Sequence, residues 1–299
     1  MKIRKLNRKI IDSYSNAIMI ITITIVLASP VAMLIIMGSK ASLLLEQQSV
    51  WHLFFTSAWE PGKGIFGFLP YILSSVFITL IAVLIAGPIC LFSAIYLTQF
   101  AEARLTKIMQ PVIDILSGIP SVVYGVWGIL MIVPLISGII APRFHVQTTG
   151  YTLITGGIVL AIMIIPFILN ILIDIFRSLP AELTEATLSL GATKWETVKH
   201  VLLRKARPGI ISAFGLGVSR AFGETIAVLM VAGNVARIPN GIFDPVYPLP
   251  ALIANNYGEM MSIPLYDSAL MMAALILFTA VLIFNFFSRI SIYHLERNV

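Results

Sequence analysis

The sequence predicts an all-α membrane protein with six transmembrane helices, and its composition and patterning support this. Apolar residues make up 58% of the 299 residues and charged residues only 11%, and the mean hydropathy is +0.95. Soluble domains are about 25% charged, so too few charged side chains remain here to cover a surface in water. The apolar residues form six runs of about 20 residues, the length that a helix needs to cross a bilayer.

The six runs are predicted to be helices because lipid cannot satisfy backbone N–H and C=O groups, whereas a helix satisfies them internally. In chain order they are Ala17–Met37, Leu69–Leu97, Val112–Ile136, Leu153–Phe176, Ile210–Val231 and Ala269–Phe287. Residues 1–68 then hold the N-terminal tail, the first helix and an external loop. A transmembrane domain occupies 69–287, and a C-terminal tail occupies 288–299.

The first and third runs have features that are not typical of a simple spanning helix. The first follows five cations, as a secretory signal does, but it is longer than the roughly 7–15 apolar residues of such a signal, so we predict an uncleaved spanning helix. The third contains Gly118, Pro120, Gly125 and Gly128. Because proline removes a backbone donor and clashes with the preceding turn, we expect these residues to break the helix beside a cavity.

Lysine and arginine residues are distributed unevenly between the connectors. Fifteen of the 20 lie in the two tails and in the connectors after the second and fourth runs, four lie in the other connectors, and the last is Arg220, inside the fifth run. Cytosolic loops of membrane proteins carry the excess of positive charge. The pattern therefore predicts that both termini and residues 177–208 are cytosolic.

The cytosolic loop at 177–208 has the signals of two short helices. Gly191 suits the left-handed residue that ends the first, and Thr193 with Glu196 forms a capping box for the second. In the first helix, a narrow face of mostly small residues is predicted from Leu183, Ala186, Thr187 and Leu190. Such a helix fits either a groove on a soluble partner or the headgroup layer of the membrane, and the pattern alone does not separate these readings.

Arg220 and Glu224 are the charged residues of the fifth run. Their i, i+4 spacing puts them on one helical face. An arginine at a helix centre costs roughly 2.5–3.5 kcal/mol on insertion scales, so it normally faces the bundle interior and marks a pathway. A guanidinium offers an oxyanion two parallel hydrogen bonds. The alternative is a structural clasp between the two side chains. Ser121 and Tyr124 are further candidates for lining the pathway.

Other chemistry is not indicated by the sequence. Cys90 is the only cysteine, and the four histidines are scattered, so neither a disulfide framework nor a metal site is expected. The chain has no G-x-x-x-x-G-K-[ST] motif for binding nucleotide phosphates, and its basic residues form no soluble face for nucleic acid. We expect no catalytic residue, no cofactor and no nucleic-acid partner.

The loop resembles the EAA loop of bacterial ABC importer permeases, the pattern E-A-A, three residues, Gly, then nine residues before I-x-L-P. The matching positions are Glu185, Ala186, Thr187, Gly191, Val201, Leu203 and Arg204. Thr187 replaces the second alanine, and Arg204 stands where proline is usual, which leaves the end of the second helix in question. The resemblance implies a type I importer fold of the MetI-like kind. It also implies that Glu182, Glu185, Ala186, Leu190 and Gly191 contact an ATPase subunit, which would bind ATP and Mg²⁺.

Three further stretches resemble the phosphate-specific permeases, the PstC/PstA pair, and the last is more like PstC. They are SGIPSVVYGVWG (117–128), GIVLAIMIIPFI (157–168) and SRAFGETIAVLMVAGN (219–234). The resemblance implies a multi-pass protein of the bacterial cytoplasmic membrane that translocates phosphate. Its partners would be a second permease, two ATPase subunits, an external phosphate-binding protein and membrane lipid.

Two alternatives stay open at this point. An ABC permease for sulfate or molybdate would share the loop and differ only in pore residues. A secondary transporter driven by protons or sodium could use Arg220 and Glu224 as a proton relay, but it would not need the EAA-like loop.

Overall fold

A computed structural model describes residues 2–258 and 263–296, which form a helical bundle with one small hairpin. In chain order the helices are α1 (Lys2–Gln47), α2 (Val50–Phe55), α3 (Leu69–Ile95), α4 (Ala103–Ser117), α5 (Ser121–Trp127), α6 (Val133–Leu135), α7 (Ala141–Arg143), α8 (Leu153–Arg177), α9 (Ala181–Ser189), α10 (Lys194–Thr197), α11 (Leu203–Phe222), α12 (Ile226–Val231), α13 (Leu249–Asn256) and α14 (Pro264–Glu296). Strand β1 (Trp59–Glu60) pairs antiparallel with β2 (Ile65–Phe66). A 3₁₀ turn occupies Pro61–Lys63, and π-helical turns occupy Tyr96–Phe100, Gly128–Ile132, Ile136–Ile140 and Val198–Leu202.

Five helical segments in the described residues are long and apolar enough to cross a membrane. They are Tyr14–Gln47, Leu69–Phe100, Ser121–Arg143, Leu153–Arg177 and Pro264–Ile290. Each overlaps one of the six predicted runs. The helices extend beyond the first and last runs, because α1 covers residues 2–47 and α14 continues through 288–296.

The third predicted run begins too early in the sequence. Helix α4 ends at Ser117 and the next helix begins at Ser121, so the spanning segment is Ser121–Arg143 rather than Val112–Ile136. The expected break at Gly118 and Pro120 is therefore confirmed, because proline cannot continue the hydrogen bonding of α4. No break occurs at Gly125 or Gly128, where the chain stays helical and enters a π-helical turn.

The fifth predicted run, Ile210–Val231, is not one continuous helix. Helix α11 ends at Phe222 and α12 begins at Ile226, with Gly223, Glu224 and Thr225 between them. Glycine has a low helix propensity, and the Gly223 N–H bonds the carbonyl of Ser219 at 3.4 Å as the last turn closes. The break is the main departure from the sequence-based prediction.

Two apolar cores hold the bundle together. The larger joins α3, α8 and α11 with α5 and α12, and α3 packs along α8. The smaller lies where α1 and α14 meet the β-hairpin and α13. At its centre the Trp59 ring meets Phe66, Phe68, Tyr71 and Tyr266 at centroid separations of 5.1 to 6.2 Å. The connectors that were predicted to be external thus form a packed layer over one end of the bundle.

Candidate substrate pathway and coupling surface

The two breaks in the bundle lie side by side and enclose a cavity of about 320 Å³. All four residues predicted to line a pathway, Arg220, Glu224, Ser121 and Tyr124, line this cavity. The remaining lining residues are Leu116, Ser117, Gly118, Ile119, Pro120 and Met163. Residues far apart in the sequence therefore meet where helices α4 and α11 end.

Local packing sets the shape of the cavity. The Tyr124 hydroxyl donates a hydrogen bond to the carbonyl of Leu116 at 2.9 Å, which ties the start of α5 to the end of α4 across the break. Gly125 permits α5 to approach α12, since a Cβ at this position would lie 2.6 Å from Met230 Sδ and 3.3 Å from Ala227 Cα. The same close contact brings Glu224, two residues before α12, to the cavity.

Arg220 lies in the last turn of α11, where the negative end of the helix dipole favours a cation. Its guanidinium carbon is 4.5 Å from the centroid of the Phe167 ring on α8. A cation above an aromatic face is stabilised by roughly 0.5–2 kcal/mol. Phe167 thus holds the guanidinium at the cavity without neutralising its charge.

The predicted one-face pairing of Arg220 and Glu224 is wrong. The helix ends between them, so they reach the cavity from the two sides of the break and do not share a helical face. The ion pairs found in the described part of the chain are Lys40–Asp267, Lys63–Glu60 and Arg237–Asp244, and none joins Arg220 to Glu224. Glu224 instead accepts a hydrogen bond from the backbone N–H of Ala227 at 3.4 Å, through Oε1.

Phe167, Ser117 and Met163 were not singled out from the sequence, although all three fall inside the stretches that carry the phosphate-permease resemblance. An aromatic residue in an apolar run is usually a packing residue, so the sequence held no signal that Phe167 supports a charge. Only the approach of α8 to α11 reveals it.

The loop at 177–208 contains the two predicted short helices, α9 and α10. Gly191 has φ +84°, as expected for the left-handed residue that ends α9. Glu182, Glu185 and Ala186 are exposed on α9, and Leu190 beside Gly191 is 87% exposed. The five predicted coupling residues therefore form one outward surface, which we call the α9 tip.

The small-residue face predicted for α9 is divided between two directions. Leu183 packs against the larger core, and the Thr187 hydroxyl donates to the Thr197 hydroxyl oxygen at 3.1 Å. Ala186 and Leu190 face outward. The four residues therefore do not form the one continuous face that their spacing predicted, because Leu183 and Thr187 are directed toward the rest of the protein.

The second loop helix begins with the predicted capping box. The Thr193 backbone N–H donates to the Glu196 carboxylate at 2.8 Å, and the Glu196 N–H donates to the Thr193 hydroxyl at 3.2 Å. The hydrogen bonds from the Thr193 backbone and hydroxyl lower the pKa of the Glu196 carboxyl below its ordinary value. Arg204, in place of the usual proline, does not end this helix, since the chain stays helical from Lys194 through a π-helical turn into α11.

A family model described as "Binding-protein-dependent transport system inner membrane component" matches residues 86–299, well over half of the chain. The matched region contains the cavity and the α9 tip. The chain belongs to this family. It is accordingly a membrane component of a transport system and not an enzyme, and the predicted transport class and multi-pass character are confirmed.

Relatives of this permease agree with the family. It is 38% identical over 257 residues to "Probable ABC transporter permease protein YqgH" of Bacillus subtilis, with 85% of this chain and 82% of the relative covered. It is 35% identical over 315 residues to "Probable phosphate transport system permease protein PstC" of Methanocaldococcus jannaschii, with 99% and 97% covered. A PstC of Xylella fastidiosa is 34% identical over 280 residues, with 89% and 85% covered.

The fold of the permease resembles a solved transporter. A chain of the inward-facing MetNI methionine ABC transporter superposes with a TM-score of 0.61 at 18% identity, covering 80% of this chain and 99% of that one. At this identity the likeness concerns the fold alone. It confirms the predicted MetI-like architecture of an ABC importer permease.

Proposed function

We propose that this permease translocates inorganic phosphate across the cytoplasmic membrane as one of two permease subunits in an ATP-driven importer. The observation that carries the proposal is the Arg220 guanidinium, which faces a polar cavity without a carboxylate partner in the described residues. Relatives described as phosphate permeases cover almost the whole chain and support the same substrate.

The chemistry of the cavity suits a small oxyanion. The guanidinium can donate two hydrogen bonds to adjacent phosphate oxygens, and the Ser121 hydroxyl can donate a third. Glu224 at the opposite side repels the anion and limits its affinity, which a transport site needs in order to release its cargo. A volume of about 320 Å³ also leaves room for water around the ion, since each water takes about 30 Å³.

The α9 tip is the surface through which we propose that ATP hydrolysis acts on the permease. Exposed Leu190 provides an apolar knob and exposed Glu182 and Glu185 provide charge, a combination suited to a groove on a soluble ATPase subunit. The remainder of the loop is continuous with α11, whose last turn carries Arg220. Motion of the tip would therefore be transmitted along one helix to the cavity. The complex would contain two such ATPases and an external phosphate-binding protein.

Competition between anions tests the substrate. We expect unlabelled phosphate to abolish uptake of radiolabelled phosphate by the assembled transporter, and a hundredfold excess of sulfate or molybdate to leave it unchanged. Arsenate, which has the shape and charge of phosphate, serves as the positive control and should compete. Strong competition by sulfate with weak competition by arsenate would instead favour the sulfate or molybdate permease.

The proposed orientation has both termini and the α9 tip in the cytosol. In a background carrying Cys90→Ala, we expect cysteines introduced at the exposed positions Ser49 and Asn240 to react with a membrane-impermeant thiol reagent on intact cells. A cysteine at exposed Ser189 should react only after permeabilisation. Reaction of the Ser189 cysteine on intact cells would reverse the topology.

A further inference from the structure

A second, shallow groove lies at the end of the bundle that carries Arg177, where α3, α4 and α8 meet. It has a volume of about 480 Å³. Two cations line it, Lys107 from α4 and Arg177 from the last residue of α8, together with Thr98, Thr106 and Gln110. The groove shares no lining residue with the Arg220 cavity.

The two cations of this groove are not paired with acidic side chains in the described residues. Neither Lys107 nor Arg177 forms an ion pair with any residue that the structure describes, although Asp174 lies one turn before Arg177. Glu102, which precedes α4 beside the groove, forms no ion pair in the described residues either, and Asp114 on the same helix is engaged by the Asn170 amide, which donates to Oδ1 at 3.0 Å. Two like charges that converge on one concave surface favour an anion between them.

Hydrogen bonds between the three elements keep the groove in shape. The Thr106 hydroxyl donates to the carbonyl of Leu97 at 3.2 Å and so joins α4 to the π-helical turn after α3. The Gln110 side-chain amide donates to Asn170 Oδ1 at 3.2 Å and joins α4 to α8. The walls that carry Lys107 and Arg177 are therefore held at a set separation, as a binding site requires.

The start of α4 adds to the attraction for an anion. Its first residue, Ala103, lines the groove. The side chain of the preceding residue, Glu102, does not cap the helix, so it leaves the N–H groups of the first turn available. Free N–H groups and the positive end of a helix dipole favour negative ligands. This effect supplements the two cations.

We propose that the groove is a second anion site that binds a phosphate group. The dense negative charge and several acceptor oxygens of a phosphate match an ammonium and a guanidinium that approach from two helices. The group comes either from free inorganic phosphate at the end we propose to be cytosolic, or from the headgroup of an anionic lipid in the adjacent leaflet. The proposal does not depend on which substrate the Arg220 cavity carries.

Thermal unfolding of the assembled transporter tests the site, because a ligand that binds the folded state raises the unfolding midpoint with concentration. The measurements use an Arg220→Gln background, so that the cavity does not contribute. One arm titrates inorganic phosphate at constant ionic strength, and the other titrates phosphatidylglycerol into mixed micelles, with phosphatidylcholine as the uncharged lipid.

In whichever titration raises the unfolding midpoint, Lys107→Gln and Arg177→Gln are each expected to weaken the apparent affinity at least tenfold. Lys107→Arg should keep it within about threefold, which shows that the variant protein is intact. The matched control is Arg104→Gln, on the same helix with the same loss of charge but outside the groove, and it should change the affinity less than twofold. A response to phosphate identifies the free ion, and a response to phosphatidylglycerol alone identifies the lipid. Equal effects of Arg104→Gln and Lys107→Gln, or no groove-dependent effect in either arm, would overturn the proposal.

Discussion

Arg220→Gln is expected to lower phosphate uptake about a hundredfold or more while the protein still inserts and assembles. Glutamine keeps a polar side chain of similar length but loses the charge and the fork of N–H donors. Each hydrogen bond to a charged group contributes roughly 1.5–3 kcal/mol, so the loss of two costs at least about 3 kcal/mol, a factor of about a hundred. The measurement is uptake of radiolabelled phosphate in cells without other phosphate transporters, normalised to the amount of assembled complex.

Phe167 supplies a graded control for the same prediction. Phe167→Leu leaves Arg220 in place but removes the ring beneath its guanidinium, 4.5 Å away. The lost cation–π stabilisation of roughly 0.5–2 kcal/mol corresponds to a two- to thirtyfold decrease in uptake. Phe167→Tyr keeps the ring and should stay near the wild-type rate, which separates loss of the aromatic face from general disturbance of α8.

A charge exchange separates an anion site from a structural clasp. In Arg220→Glu with Glu224→Arg both charges remain, but the cation moves from the last turn of α11 into the break before α12 and away from Phe167. We expect this variant to assemble and stay inactive, because the anion site requires the cation above Phe167. Near-normal uptake would mean that the two residues only hold the helices together.

Gly191→Val is expected to reduce ATP hydrolysis stimulated by the binding protein at least tenfold in reconstituted vesicles. Gly191 has φ +84°, a region that β-branched residues avoid at a cost of roughly 1–3 kcal/mol. A Cβ at this position would have no atom of the chain within 4 Å, so the backbone conformation and not a clash within the permease is affected. The variant should therefore insert normally and change only the α9 tip.

Asparagine is the matched control at this position. It adopts the left-handed conformation far more readily than valine, so Gly191→Asn should retain most of the coupled hydrolysis. Glu185→Lys leaves the backbone unchanged, reverses one exposed charge of the tip, and should also uncouple transport. If both Gly191→Val and Glu185→Lys hydrolyse ATP normally on stimulation, the loop is only a helix at the membrane surface.

Features that depend on local chemistry were predicted well from the sequence. Apolar runs located the five spanning segments, since the requirement for apolar length acts on each segment separately. The break at Gly118–Pro120, the left-handed Gly191 and the capping box of Thr193 and Glu196 follow from the backbone preferences of single residues, and all three are present.

The sequence was less informative where the structure depends on contacts between segments that are distant in the chain. Hydrophobicity alone favoured a continuous helix at Ile210–Val231, but close packing of α12 against α5 accompanies a break at Gly223–Thr225. The i, i+4 spacing of Arg220 and Glu224 was then misleading, because the spacing rule holds only within an unbroken helix. The α9 face was likewise divided by a contact with α10 that periodicity does not encode.

The sequence by itself determined that this protein is a multi-pass transport component with an EAA-like loop and an arginine within an apolar run. Only the tertiary structure decided that Arg220 rests on Phe167 and meets Ser121, Tyr124 and Glu224 at one cavity. It also decided that Lys107 and Arg177 converge on a separate groove. The physical reason is that composition and spacing report the environment of a segment, whereas the partner of a charged side chain depends on which helices approach one another.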